Sequence, residues 1–243
     1  MTNLYIIIPT YNERENIAQL LPYLEQLFRQ ERIGGGVIVV DDNSPDGTAA
    51  VAKEAALTLA RDNFDIHLIE RPGKLGLGTA YIAGFRQALA NGADYIMEMD
   101  ADFSHNPDYI PDFLRLLKEA DVVIGSRYVS GGGVENWSWH RRAISRLGSR
   151  YSRLILGWDI QDATAGYMAY RRQVLETINL DDITSNGYIF QAEMKHRAHR
   201  HGFKLVETPI IFADRKLGQS KMNSRIVLEA IWKVWHLHWQ RHV

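Results

Sequence analysis

Short apolar runs alternate along the first half of the chain with longer segments whose apolar residues recur every three or four positions. The runs predict five strands, at residues 4–8, 37–40, 66–69, 95–99 and 122–125. The periodic segments match one face of a helix, and they predict helices at 15–28, 47–60, 77–89 and 106–118. Strands that alternate with helices of about a dozen residues are typical of an α/β fold with a mostly parallel sheet and flanking helices.

Two local features modify this pattern. Pro22 lies inside the first predicted helix and predicts a kink or a break there, because proline has no backbone N–H to donate. The triplet Gly34-Gly35-Gly36 is predicted to release the chain into the second strand.

The second half of the chain is less regular. It predicts a flexible loop at 129–135, a basic helix at Trp139–Leu156, strands at 165–170 and 205–212, a helix at 189–201, a polar loop at 215–222 and a final helix at 224–240. The simplest division is one catalytic domain over residues 1–243, with residues 224–243 as a C-terminal amphipathic helix.

Composition narrows the class of protein. The net charge of the 243 residues is -1 and cysteine is absent. This balance argues against a dedicated nucleic-acid binder, which usually carries a basic surplus, and the lack of cysteine excludes a disulfide scaffold. The N-terminus does not resemble a signal peptide, and no apolar run approaches the ~20 residues of a membrane span. We therefore expect a cytoplasmic protein.

The ends of the predicted strands carry the candidate chemistry. Ligands of parallel α/β sheets sit at the carboxyl ends of the strands, and Asp100 and Asp102 come directly after the fourth one. Two carboxylates held close together repel each other unless a cation lies between them. Oxygen ligands shared with phosphates suit Mg²⁺ or Mn²⁺, so this pair predicts a metal and nucleotide-sugar site. The polar residues Asn43, Ser44, Asp46 and Gly47 are interpreted as turn and capping residues.

Seven stretches in order along the chain resemble family 2 glycosyltransferases and, within that family, the dolichyl-phosphate mannosyltransferases. They lie at residues 8–16, 39–48, 99–107, 125–128, 162–166, 186–193 and 212–221. The resemblance implies a GT-A fold of the nucleotide-diphospho-sugar transferase type. It also implies metal-dependent transfer of mannose from GDP-mannose to dolichyl or polyprenyl phosphate, with inversion at the sugar.

The resemblance assigns roles by position. The residues that would hold the nucleoside are Pro9, Tyr11, Glu13, Val39 and Asp41. Asp100, Ala101 and Asp102 would meet the diphosphate and the metal, with Ser104 as a further contact. Arg127, Arg215 and Lys221 would bind phosphate groups, and Arg141 would bind the acceptor phosphate. Asp102, Arg127, Arg215 and Lys221 are the predicted catalytic residues. In place of the Phe-Arg that often follows Gly166 in the family, this chain has Tyr167-Met168.

Three alternatives stay open at this point. The donor could be a UDP-sugar carrying glucose or N-acetylglucosamine, and a pyrophosphorylase would share the sheet and the metal but needs a glycine-rich loop after the first strand. A non-catalytic nucleotide-binding scaffold is the non-enzyme alternative.

The final predicted helix bears on where the protein works. Trp232, Trp235 and Trp239 recur at spacings of three and four, so they share one helix face. Tryptophan favours the membrane interface, which suggests a peripheral protein on the cytoplasmic face of a membrane. The same stripe could instead pack on the protein's own core or bind a separate membrane-anchored subunit.

Overall fold

The computed structural model describes residues 2–183, 185, 187–213, 232 and 234–239. Its strands are β1 (Asn3–Thr10), β2 (Gly34–Asp41), β3 (Phe64–Glu70), β4 (Tyr95–Glu98), β5 (Val122–Ser126), β6 (Gly133–Val134), β7 (Met168–Arg171), β8 (Leu205–Pro209) and β9 (Ile211–Phe212). Its helices are α1 (Arg14–Glu31), α2 (Thr48–Leu59), α3 (Leu77–Ala90), α4 (Ile110–Leu116), α5 (Trp139–Leu156), α6 (Arg172–Thr177) and α7 (Tyr188–Arg200). The predicted alternation of strands and helices is confirmed.

Within the described residues, seven strands form the main sheet, in the order β3-β2-β1-β4-β7-β5-β8, and β6 pairs with β9 in a small second sheet. In the main sheet β7 alone runs antiparallel to its neighbours, β4 and β5, and the other pairs are parallel. The predicted mostly parallel sheet is therefore confirmed. Because β1, β2, β4 and β5 share one direction, their carboxyl ends lie along one edge.

Both faces of the sheet are covered. Ile7, Ile38 and Val40 pack with α3 and α7 on one face, whereas Ile6, Val37 and other strand residues pack with α1 on the opposite face. Strands buried on both faces are apolar at consecutive positions, which explains the continuous apolar runs of the sequence.

Of the kink or break predicted at Pro22, the break does not occur. α1 runs from Arg14 to Glu31 with Pro22 inside it. Proline removes one backbone donor from a helix interior. The fully buried Leu20, Leu21 and Leu24 hold this part of the helix on the core, and we infer that their burial outweighs the lost bond.

The prediction for the glycine triplet is also corrected, because these residues form the first part of β2. A Cβ on Gly35 would lie 2.0 Å from the carbonyl oxygen of Leu4, and one on Gly36 would lie 2.0 Å from that of Asp65. The neighbouring strands β1 and β3 therefore approach too closely for any side chain. Glycine here serves the close approach of backbones.

Replacing Gly36 with alanine tests this packing. The new methyl group meets backbone atoms of β3 that cannot rotate away, so we expect a loss of unfolding free energy of about 3 kcal/mol or more, at the upper end of overpacking effects. Gly73→Ala is the control, since a Cβ at Gly73 meets nothing within 4 Å. Urea unfolding of both variants measures the difference, and equal midpoints would contradict the account.

One carboxyl group is buried between the sheet and α7. Glu98, at the end of β4, is fully buried. It accepts hydrogen bonds from the Tyr170 hydroxyl (2.6 Å) and from Gln191 Nε2 (3.1 Å). Burial raises the pKa of Glu98 from its ordinary 4.5 to about 8, although the Tyr170 hydrogen bond and the charge of Lys195 oppose the shift. The carboxyl group is therefore protonated in the folded protein at neutral pH.

Replacing Glu98 with glutamine should change how stability depends on pH. Between its ordinary pKa and about 8, the folded parent holds a proton on Glu98 that the unfolded chain releases. Its stability then falls as pH rises, by up to about 1.4 kcal/mol for each pH unit.

Glutamine cannot ionise, so the Glu98→Gln variant should gain stability relative to the parent as pH rises from about 5.5 to 7.5. Urea unfolding across this range measures the difference in unfolding free energy. A difference that does not vary with pH would show that Glu98 ionises alike in both states.

Candidate active site at the carboxyl edge of the sheet

A tight turn after β4 carries the predicted metal-binding carboxylates. Asp102 is buried, and its Oδ1 accepts a hydrogen bond from the Ser104 backbone N–H (3.1 Å). Between them Phe103 has φ = 60°, a left-handed conformation that is uncommon for a residue other than glycine. The Asp102 carboxylate thus closes this strained turn on the backbone of Ser104.

The His105 side chain stabilises the same turn through a hydrogen bond to its backbone. Its Nδ1 accepts a hydrogen bond from the Asp100 backbone N–H (3.0 Å). A nitrogen that accepts carries no proton, so the neutral ring is protonated at Nε2. The ring stacks on Tyr167 with centroids 4.7 Å apart, and the Tyr167 hydroxyl donates to the carbonyl of Asn106 (3.0 Å). His105 and Tyr167 together fix where Asp100 sits.

The residues of this turn fit a small hard cation. Ser104 Oγ is buried and has no hydrogen-bond partner within the described part of the chain. Buried polar atoms are normally paired, so this oxygen is a candidate ligand for a cation. The described residues contain no group of three or more His, Asp or Glu side chains placed to hold a metal. One or two carboxylates completed by substrate phosphates are the usual protein contribution to a Mg²⁺ site. Asp100, Asp102 and Ser104 match that pattern.

Asp41, predicted to hold the nucleoside, ends β2 in a hydrogen-bonded turn. Its Oδ1 accepts from the hydroxyls of Thr10 (2.9 Å) and Ser44 (2.6 Å), and its Oδ2 accepts from the Ser44 backbone N–H (2.8 Å). Asp46 accepts from the backbone N–H and hydroxyl of Thr48. The interpretation of this segment as turn and capping residues is confirmed.

The other predicted nucleoside residues lie around the end of β1. Pro9 is half-buried in the strand, and Lys74 Nζ stands 3.3 Å from the ring centroid of Tyr11. The carboxylate of Glu13 accepts from Asn16 Nδ2 (2.6 Å). The side chains of Val39 and of Ala101, which was predicted to meet the diphosphate, are buried in the core cluster, and Val39 lies in β2 between β1 and β3.

Arg71, which was not predicted as a site residue, links the end of β2 to the start of α3 through hydrogen bonds. Its Nε donates to Asp42 Oδ1 (2.5 Å), and its other nitrogens donate to the Thr79 hydroxyl (2.7 Å) and the Gly76 carbonyl (3.2 Å). This buried ion pair fixes the loop that carries Lys74 beside Tyr11.

Arg127, a predicted phosphate ligand, forms a buried bidentate pair with Asp162. Its Nε and Nη2 donate to the two Asp162 oxygens (2.7 and 2.6 Å), and Nη2 also reaches the Thr164 hydroxyl (2.8 Å). Burial alone would raise the pKa of Asp162, but the Arg127 guanidinium lowers it below its usual range. Asp162 thus stays ionised, and much of the Arg127 fork is directed at this carboxylate.

Lys195 of α7 supports the segment that contains Asp162. Its Nζ is fully buried and donates to the carbonyls of Ala163 (3.0 Å) and Ala165 (2.6 Å). Burial lowers the pKa of Lys195 to about 8, while the carboxylate of Asp162 opposes the shift. The ammonium group is anchored by two backbone carbonyls and balanced by the nearby anion. Lys195 therefore fixes the backbone of residues 162–166, which we call the support loop.

A small cavity of about 70 Å³ opens between the β4 turn and the support loop. Its lining includes Asp100, which the sequence predicted as a site residue, and His105 and Tyr167, which it did not. Its further lining residues include Arg127, Thr164, Gly166, Gln191 and Phe212. The cavity makes these elements one site.

Arg141 lies at the start of α5, with its guanidinium carbon 3.9 Å from the ring centroid of Trp137. This cation–π contact restrains it close to Arg127, which also approaches Trp137 (5.4 Å). Arg215 and Lys221 lie outside the described residues, so their roles stay predictions.

Sequence reasoning missed several residues of this site. His105 and Asp162 lie within stretches that carry the family resemblance, but nothing local indicated their partners. Tyr167, at the departure from the family pattern, is buried beneath His105. Lys195 begins a basic stretch of the sequence, and only the structure shows that its side chain is fully buried.

The fold resembles solved glycosyltransferase structures. Glucosyl-3-phosphoglycerate synthase from Mycobacterium tuberculosis, in complex with Mn²⁺, UDP and glucosyl-3-phosphoglycerate, superposes with a TM-score of 0.67. The match covers 97% of this chain and 80% of that one, at 16% identity. The same enzyme in complex with phosphoglyceric acid gives a TM-score of 0.68. This likeness confirms the predicted GT-A fold.

Two curated relatives are much more similar in sequence. The polyprenol monophosphomannose synthase of Mycolicibacterium smegmatis is 47% identical over 94% of this chain and 84% of its own length. The undecaprenyl-phosphate mannosyltransferase of Micrococcus luteus is 48% identical over 93% of this chain and 89% of its own length. The family model described as "Glycosyl transferase family 2" matches residues 5–178. The chain therefore belongs to glycosyl transferase family 2.

Proposed function

We propose that this protein transfers mannose from GDP-mannose to a polyprenyl phosphate, with inversion at the sugar carbon. The observation that carries the proposal is the Asp100–Asp102 turn, whose buried Ser104 hydroxyl has no hydrogen-bond partner among the described residues. The chain is also nearly half identical to two proteins named for mannosyl transfer to polyprenyl carriers. Residues 1–243 would act as one catalytic domain.

The acceptor's own chemistry defines what catalysis requires. A phosphate monoester has its second pKa near ~6, so at neutral pH it is largely dianionic and needs no general base. The obstacle is repulsion between this anion and the donor diphosphate. Catalysis then rests on positioning the two anions and neutralising their charge.

The residues of the site would divide this work. Asp100, Asp102 and Ser104 would hold Mg²⁺ or Mn²⁺, whose positive charge, when bound, stabilises the leaving diphosphate. Asp102 is buried in a fixed turn, which suits a ligand that must keep its position through the reaction.

The cationic side chains would serve the phosphates. Arg127 is pre-oriented by its pair with Asp162 and still lines the cavity beside Asp100. Arg141, restrained on Trp137, would receive the acceptor phosphate. Arg215 and Lys221 would complete the cationic set around the donor. Arginine suits this task because its planar fork binds two phosphate oxygens at once.

The nucleoside would lie over the ends of β1 and β2. Tyr11, flanked by Lys74, supplies an aromatic surface, and the neighbouring Pro9, Glu13, Val39 and Asp41 complete this end of the site. The Asp41 carboxylate is buried and already held by Thr10 and Ser44, so it would fix the shape of the turn on which the nucleoside lies.

The acceptor's lipid chain requires the protein to work at a membrane surface. None of the helices in the described part of the chain is both long and apolar enough to cross a bilayer. Near the C-terminus Val234 and Leu237 are buried, whereas Trp232 and Trp239 are exposed. This division supports an apolar face available to a membrane surface or to a separate membrane-anchored subunit, with the protein peripheral on the cytoplasmic side.

A panel of radiolabelled donors tests the proposal. The protein is incubated with polyprenyl phosphate, Mg²⁺ or Mn²⁺, and GDP-mannose, UDP-glucose or UDP-N-acetylglucosamine in turn. We expect label to enter the lipid phase from GDP-mannose, and chelation of the metal to stop the transfer. Transfer from a UDP-sugar in preference to GDP-mannose would overturn the donor assignment.

Asp102→Asn is the matched inactive variant for this assay. Loss of one carboxylate charge should lower kcat/KM by at least about 100-fold, comparable to the loss of one electrostatic group at a reacting centre. Asp112→Asn serves as the control, because Asp112 is an exposed acid on α4 that pairs with Arg115. Full activity of the Asp102 variant at saturating metal would remove the metal role of this turn.

A further inference from the structure

Helix α5 shows an unusual segregation of charge. Its 18 residues include Arg141, Arg142, Arg146, Arg150 and Arg153 and contain no acidic residue, although the whole chain has a net charge of only -1. Arg142, Arg146, Arg150 and Arg153 follow one another at spacings of three and four, so they lie along one side of the helix. All four are exposed.

Among the described residues, an acidic partner is present for only one of these four arginines. Within the described part of the chain no carboxylate is in ion-pair distance of Arg142, Arg146 or Arg150, while Arg153 meets the exposed Asp159 at 3.3 Å. An exposed row of like charges repels itself. Its charge is complementary to an anionic surface.

Apolar side chains are exposed on the neighbouring side of the same helix. Leu147 is 63% exposed and Leu154 is 81% exposed, and their separation of seven positions, about two helical turns, places both on one face. Trp139, at the start of the helix, is 71% exposed. The opposite side, with Ser149, Ser152 and Leu156, is buried. The solvent side of α5 therefore consists of an apolar stripe beside a cationic one.

The cationic stripe also borders two recesses. Arg146, Arg150 and Arg153 line one of about 230 Å³ together with Tyr128 and Gln161. Arg142 and Arg146 line another of about 170 Å³, which reaches Arg127. Each is more than about five times the ~30 Å³ that one water molecule occupies in the liquid, which leaves room for a phosphate group.

We infer that α5 is a docking surface for a membrane that contains anionic phospholipid. A nucleic acid would satisfy the arginines but would leave Leu147 and Leu154 in water. At a lipid interface the leucines enter the headgroup boundary while the arginines meet lipid phosphates. Because the recess beside Arg142 adjoins Arg127, docking through α5 would place the cavity of the site at the bilayer surface.

Vesicle flotation of the full chain tests this surface, without donor or acceptor, so that the result does not depend on the transferase activity. We expect binding to phosphatidylcholine vesicles to increase strongly when phosphatidylglycerol is added and to weaken with salt. The Arg146→Gln, Arg150→Gln double variant should bind the anionic vesicles about 10-fold to 30-fold more weakly. The Leu147→Ser, Leu154→Ser double variant should also lose at least about tenfold.

Matched controls carry the same substitutions on other helices. Arg29→Gln with Arg115→Gln removes two exposed arginines, of α1 and α4, and Leu57→Ser removes a leucine of α2 that is 87% exposed. Both should float like the parent, and circular dichroism verifies folding of every variant. The proposal is overturned if the parent does not bind anionic vesicles, or if the folded α5 variants bind as well as the controls.

Discussion

The site depends on a set of buried charges beneath the carboxyl edge of the sheet. Asp162 and Arg127 form a bidentate pair, and Lys195 holds two carbonyls of the support loop from below. Removing such charges from water costs several kcal/mol for each ion, so they persist only because each is paired or hydrogen-bonded. We infer that these charges fix the backbone of the support loop in one position. Apolar contacts, which have no preferred direction, would not fix it in the same way.

These buried charges also determine where the residues of the acidic turn after β4 lie. Just beyond the support loop comes Tyr167, on which His105 stacks, and His105 in turn accepts the N–H of Asp100. The carboxylates proposed to hold the metal are thus linked through two aromatic rings to a loop anchored by Lys195. Such rigidity suits a reaction between two anions, where catalysis consists of holding charges in place rather than moving protons.

The sequence predicted the strands, their shared edge and the acidic turn, because those features depend on local periodicity and on residue types at strand ends. It could not predict that β7 enters the sheet antiparallel, or that Gly35 and Gly36 lie inside a strand, since both depend on backbones distant in the chain. The pairing of Arg127 with Asp162 was hidden for the same reason. In the sequence Arg127 is predicted to bind phosphate, and only the fold shows that its guanidinium is already paired with Asp162.

Hydrogen–deuterium exchange in a Lys195→Met variant tests the dependence on buried charge most directly. Methionine fills a similar volume but leaves the carbonyls of Ala163 and Ala165 without a donor, at a cost of about 1–3 kcal/mol for each. The account predicts that the amides of Asp162 and Ala165 exchange at least about tenfold faster, while those of β1 and β2 keep their rates. Lys53→Met, at an exposed lysine of α2, should change neither. Unchanged exchange in the support loop of a folded Lys195→Met protein would contradict the account.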